Sequence, residues 1–353
     1  MSNKRSVFLP SVVCTIVAMA ARADDAVSPT PEKCELREVA SLPLSIGESK
    51  TSMPTVPVTV GNSPASFIVG LSQPTTAITK EFADTNRIET QTLLSQRKFP
   101  FIVYVQRSVN ATGIIPSLTI GRITIQNIQA FVLGQSWDVD GVIGLDLLSH
   151  MDVELNLKSD KVNLFSQDHC IGQTVYWGRP IVTLPFAFDE QGAPVFQMQL
   201  DGKMVTAKLD ITKDEATMGR DRAEALFSVT SQTPGLKPRS DVEVVTVTRG
   251  RAAASVPGDA LKNYDYVFKD LSVSGIEIHN LSVLLGAQPF PETCQGSSRA
   301  HILALNADQC NSGVDLVLGR NELRNMRLFF AFKEKTLYIT GADPDPQSSA
   351  QVH

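Results

Sequence analysis

"DGVIGLDLLSHMDVELNLKSDKVNLF", residues 140–165, returns 175 positions later as "DLVLGRNELRNMRLFFAFKEKTLYIT", residues 315–340, without a gap. Asp140, Val142, Gly144, Leu148, Met151 and Lys158 recur as Asp315, Val317, Gly319, Leu323, Met326 and Lys333. Self-similarity at a fixed offset marks a duplicated structural unit. Each copy reads as an apolar strand ending in glycine, a short helical turn, an alternating strand, a charged turn and a last strand.

The fronts of the two halves match as well. "VPVTVGNSPASFIV", residues 56–69, alternates around Gly61-Asn62, and "FQMQLDGKMVTAKL", residues 196–209, alternates around Asp201-Gly202. Such pairs suit tight β-hairpin turns. An apolar strand and a short helical segment follow each hairpin, "TKEFADTN" in one half and "DRAEALF" in the other. The chain is read as a tandem duplication, with lobes at residues 38–170 and 176–341.

Composition agrees with many short strands. Aromatic residues make up 7% of the 353, while Gly (22) and Pro (20) recur throughout, so the expected fold class is all-β. A net charge of −5 without a Lys/Arg block excludes an electrostatic footprint for nucleic acid or anionic lipid. Lys4 and Arg5, the apolar run "VFLPSVVCTIVAMAA" and Ala21-Arg22-Ala23 read as a signal peptide over residues 1–23. The run is too short for a membrane span, and Ser11-Val12-Val13 is a poor lead-in for a lipoprotein cysteine at Cys14. A periplasmic or extracellular protein is expected, with flexible ends at residues 24–37 and 342–353.

Setting Cys14 aside, four cysteines remain: Cys34, Cys170, Cys294 and Cys310. An even number in an exported chain points to disulfides, for which three pairings are open. Cys34 with Cys170 and Cys294 with Cys310 is the preferred one. No cysteines or histidines stand at zinc-ligand spacing, so no metal and no other cofactor is expected. Neither a nucleophile elbow, a phosphate-binding glycine loop nor a His-Glu-x-x-His helix is present.

The hairpins, the strands after them, Val142-Ile143-Gly144, Val317-Leu318-Gly319, "LLSHMDVELNL" with "ELRNMRLFFAF", and the linker "DHCIGQTVYW" together resemble the bacterial pepsin/retropepsin-like aspartic proteases in a two-lobed, exported form. The resemblance implies two β-barrel lobes meeting at a cleft. It also implies one Asp-Thr/Ser-Gly turn per lobe, with an apolar-apolar-Gly segment beside each turn. Counted from the hairpins, those turns fall on Gly70-Leu71-Ser72 and Asp210-Ile211-Thr212. Only one aspartate remains. The bracing hydroxyl residue has become Leu71 or Ile211, and the turn glycine has become Ser72 or Thr212.

Aspartic proteolysis requires two carboxylates that share a proton, one acting on water and the other on the substrate carbonyl. A single carboxylate cannot hold both states, and loss of acid–base catalysis alone costs about 10² to 10⁴ in rate. The expected function is therefore a catalytically impaired pseudoprotease that binds an extended peptide or protein segment between its lobes, as a monomer. One alternative is an aspartic endopeptidase with a non-standard site built on Asp210. The other is a structural or assembly module. Asp214 and Glu215 are read as turn residues, Glu81 and Asp84 as a helical surface, and Asp140 and Asp315 as turn or cap residues. Gly70 to Gly144 spans 74 positions and Asp210 to Gly319 spans 109, so the second lobe carries 35 more, assigned largely to a loop holding "PFPETCQGSSRAHILALNADQC". "PFIVYVQ" and "VEVVTVT" are candidate flaps.

Overall fold

A computed structural model describes residues 35–46, 53–92, 109–134, 138–172, 174–178, 182–189, 192–239, 262–286 and 313–342. The signal segment, Cys34, Cys294, Cys310, both candidate flaps and most of the second-lobe insertion lie outside the described residues, and with them both expected cysteine pairings. All described residues belong to one compact unit, Cys34–His353.

The chain is all-β, with two closed six-stranded barrels. In the first, the order is Thr55–Val60, Ser63–Val69, Gly141–Ile143, Ala77–Thr79, Ile123–Leu133 and Val109–Ile120, and pairing of the last strand with the first closes the ring. The second repeats that order with Pro194–Leu200, Lys203–Leu209, Leu316–Leu318, Ala216–Gly219, Ile276–Gly286 and Tyr264–Val273. The two-residue turns form where the dipeptides predict them. Val60 pairs with Ser63 across Gly61-Asn62, and Leu200 pairs with Lys203 across Asp201-Gly202. Asp201 and Gly202 both hold positive φ, 46° and 77°, the conformation that makes such a turn follow strand twist.

Alternation does the rest. Thr55–Val60 buries Val56, Val58 and Val60, and Pro194–Leu200 buries Phe196, Met198 and Leu200. Each fully buried side chain of this kind contributes about 1.5–3 kcal/mol. Short helices, Lys80–Thr85 and Arg220–Phe227, follow the barrel strands in both lobes. Thr79 caps the first, its hydroxyl accepting from the Phe82 N–H. On that helix Asp84 is exposed and paired with Lys80 one turn away.

A third, six-stranded sheet joins the lobes, in the order Glu38–Pro43, Lys161–Phe165, Asp152–Asn156, Met326–Ala331, Thr336–Gly341 and Val182–Pro185. Its centre is the antiparallel pair Asp152–Asn156 and Met326–Ala331, with Leu155 opposite Leu328 and Glu154 opposite Phe329. The repeated "MDVEL" and "MRLFF" segments thus face each other. No helix among the described residues is long and apolar enough to cross a membrane.

Candidate functional site

The two turns that the duplication makes equivalent are built by the same backbone bonds. The Gly70 N–H donates to Ile143 O (2.9 Å), and the Asp210 N–H donates to Leu318 O (3.0 Å). The turns close when the Gln73 N–H reaches Gly70 O (3.0 Å) and the Lys213 N–H reaches Asp210 O (3.2 Å). Leu145 N–H to Gln73 O and Arg320 N–H to Lys213 O, both 2.8 Å, tie each turn to the start of a short helix. Gly70-Leu71-Ser72 therefore lies beside Val142-Ile143-Gly144, and Asp210-Ile211-Thr212 beside Val317-Leu318-Gly319.

Close approach explains the repeated glycine of those segments. A Cβ on Gly144 would stand 2.3 Å from the Thr75 carbonyl carbon, and one on Gly319 would stand 2.7 Å from Glu215 N. Both obstacles are backbone, so neither can yield.

The occupants of the two turns differ. Asp210 is buried, and its Oδ1 accepts from the Thr212 N–H (3.0 Å) and the Thr212 hydroxyl (2.6 Å). No second carboxyl group hydrogen-bonds Asp210 among the described residues. Leu71 and Ile211 are buried in the main apolar core. In the other turn the space for a side chain is closed. A Cβ on Gly70 would lie 2.7 Å from Val142 Cγ1 and 2.9 Å from Gln73 Cβ. Gly70 holds no left-handed φ, so room is what demands glycine here. Gln73 is 2% exposed and leans into that volume, its Nε2 donating weakly to Ser72 Oγ at 3.4 Å.

Ion pairs fix the chain after Asp210. Asp214 pairs with Arg320, and Glu215 accepts from Arg239 Nη1 at 2.6 Å, with Asp265 also 3.3 Å from that nitrogen. In the first lobe, Asp146 Oδ1 takes the Thr76 N–H (2.9 Å) and hydroxyl (2.8 Å), and Thr76 Oγ1 accepts from the Gly144 N–H. Glu322 accepts from the Gly319 N–H (3.0 Å), and burial pushes its carboxyl up. Asp140 and Asp315 each accept a strand N–H, from Ser66 and Thr206, at 2.8 Å. Asp315 also binds Arg222. Among the described residues no group of three or more His, Cys, Asp or Glu is placed to hold a metal.

A pocket of about 270 Å³ opens next to the Asp210 turn, lined by Asp214, Glu215, Met218, Leu284, Gly286 and Val317 among others. In the first lobe Thr79, Val139 and Asp140, the equivalents of Gly219, Val314 and Asp315, line a recess of their own of about 450 Å³, and the two recesses differ at one strand end. Thr79 pairs with Leu133 where Gly219 pairs with Gly286, and Leu133, Val139 and Val142 form a small apolar cluster with Phe131 against it. Sequence reasoning missed this asymmetry and the roles of Gln73 and Val142. The signal was a glycine against a leucine at the end of two otherwise similar strands, "ITIQNIQAFVL" and "IEIHNLSVLLG".

No protein-family model matches the chain, and no curated protein matches it. Among solved structures it is similar to a retropepsin-like aspartic protease from Rickettsia conorii, at 12% identity and a TM-score of 0.27, over 47% of this chain and 96% of that one.

Proposed function

We infer that this is an exported, aspartic-protease-like protein that holds an extended peptide or protein segment beside the Asp210 turn without cutting it. The observation that carries this reading is the state of the Gly70 turn. It lacks a carboxylate, and Val142 and Gln73 occupy the approach that a replacement side chain would need. Asp210 is left with one oxygen committed to Thr212 and, among the described residues, no carboxyl partner. Water activation in this chemistry requires a proton-sharing pair, so a lone Asp210 supports binding without cleavage. The open pocket in the second lobe supports a binding role, because it offers a mixed apolar and polar recess for one ligand side chain. Export rests on the leader-like segment before Asp24.

The test exposes the purified mature protein to a mixed peptide library from acid to neutral pH. Cleavage and retention are both read, with Asp210→Asn as the control. Retention without cleavage by either protein is the expected result. Cleavage that disappears in Asp210→Asn overturns it and favours an endopeptidase with an unusual site. Neither retention nor cleavage favours an assembly role.

A further inference from the structure

The sheet that joins the lobes buries charges that play no part in the reading above. Asp152, on the central strand of the first lobe, has a fully buried side chain. Its Oδ2 lies 2.5 Å from His169 Nε2, and its Oδ1 accepts the Phe332 N–H of the second lobe at 3.0 Å. The other ring nitrogen, Nδ1, lies 3.2 Å from Cys170 O and 3.8 Å from Glu334 Oε1. His169 and Glu334 are 2% and 5% exposed. The imidazole thus sits in the connector between lobes, with a carboxylate of the first lobe on one side and a carboxylate of the second on the other.

Every atom that faces the ring nitrogens is an acceptor. A doubly protonated ring donates from both nitrogens and places one positive charge between two negative ones. A neutral ring directs a lone pair at an acceptor and leaves two buried anions in one seam. No Lys or Arg pairs with Asp152 or Glu334 among the described residues. Glu334 takes hydrogen bonds from the Tyr338 hydroxyl (2.5 Å) and the Gly172 N–H (3.2 Å). Nearby Lys333 reaches Gln167 O instead, and Asp168, beside His169 in sequence, bonds Ser166.

We propose that His169 is a proton-operated clasp between the two barrels: charged, it bridges Asp152 to Glu334 and holds the seam, and on losing its proton it releases the Phe332 end of the joining strands. Burial is the larger effect and holds the Asp152 carboxyl above its ordinary range, with the His169 ring and the Phe332 N–H acting against it.

The experiment follows His169 ring ¹⁵N shifts and amide exchange at Phe332 in the full mature chain from about pH 5 to 9, the range in which histidine ordinarily changes charge. Exchange is corrected for its intrinsic pH dependence. As His169 loses its proton, protection at Phe332 should fall by at least about tenfold, because removing one member of a buried charge group is costly. Amides of the barrel strand Lys203–Leu209 should hold steady. His169→Asn should abolish the step, and Glu334→Gln, which keeps the shape and removes one anion, should shrink it. The wild-type titration stands if either variant fails to fold. A ring that does not titrate, Phe332 protection that ignores the titration, or a step unchanged in the folded variants overturns the proposal.

Discussion

Gly70→Ala probes the closed turn most directly, because it adds one carbon and no charge. That carbon would stand 2.7 Å from Val142 Cγ1 and 2.9 Å from Gln73 Cβ, against a comfortable separation of about 3.5–4.0 Å. Neither neighbour swings away easily. Val142 is branched at Cβ, which restricts its χ1, and the Gln73 atom is the root of its side chain. Forcing a methyl group into such a place costs about 1–3 kcal/mol. Replacing glycine at an ordinary φ returns about 0.4–1 kcal/mol through the unfolded chain. The steric cost wins, and a net loss of about 1–2 kcal/mol is expected. Urea unfolding of wild type, Gly70→Ala, Val142→Ala and the double variant forms the assay. The clash predicts a double variant more stable than the sum of the single changes by about 1 kcal/mol, within the range for residues in contact. Gly70→Ala at or above wild-type stability, or zero coupling to Val142→Ala, refutes the reasoning. So does Gly70→Asp if it yields cleavage that depends on Asp210.

Thr212→Val should cost about 1–3 kcal/mol in urea unfolding by removing the 2.6 Å hydroxyl bond to buried Asp210, and Thr212→Ser should recover most of it. Gly286→Leu should fill the second-lobe pocket, leave folding intact and abolish retention of library peptides. At the other end of the seam, Glu154 binds Arg327 Nε at 2.7 Å, with Tyr176 and Asn163 on the same carboxylate and Trp177 stacked on the guanidinium. Glu154→Leu alone should cost about 3–5 kcal/mol by removing the carboxylate that Arg327 Nε donates to, and Glu154→Leu with Arg327→Met should return most of the loss. Burial raises both Asp152 and Glu154 from their ordinary values of 3.8 and 4.5. Between those values and the raised folded ones, the native state binds more protons than the unfolded chain. Their contribution to stability is therefore fully present below the ordinary values and is lost as pH rises through the folded ones. Urea midpoints across the acid range should reveal it as a difference in slope from Asp152→Asn/Glu154→Gln, and identical slopes would count against it.

Much of the fold was legible because the features that build it are local or repeated. Gly144 and Gly319 stand out at a fixed offset because backbone approaches both, and the dipeptides Gly61-Asn62 and Asp201-Gly202 announce turns on their own. The long barrel hairpins repeat as clearly, down to a left-handed Asn127 at φ 54° and Asn280 at φ 56°. Their spacing is 153 positions, not 175, so a search at one offset passes over them. The glycine of the first turn was legible too, but the closing of that turn was not, since Val142 meets Gly70 only through parallel strand pairing.

The seam explains why the two lobes could diverge in this way. Asp152 and Arg327 occupy equivalent positions of the repeat, as do Glu154 and Phe329, yet one pair is opposite in charge and the other sets an acid against a ring. In a symmetric pair of identical chains, each position faces a seam built from the same residues, so a carboxylate on one side appears on the other as well. Joining the copies in one chain removes that constraint. Glu154 can then be neutralised by Arg327, while Asp152, on the opposite arm, meets the His169 ring of the connector. The same freedom acts at the turns: the first lobe closes over Gly70 and places Leu133 where the second has Gly286, while the second carries Asp210. If divergence of the copies is the cause, restoring equivalence at one place should not restore it at another. Gly70→Asp would still face Gln73, and a charge added to the first turn would leave the seam unchanged.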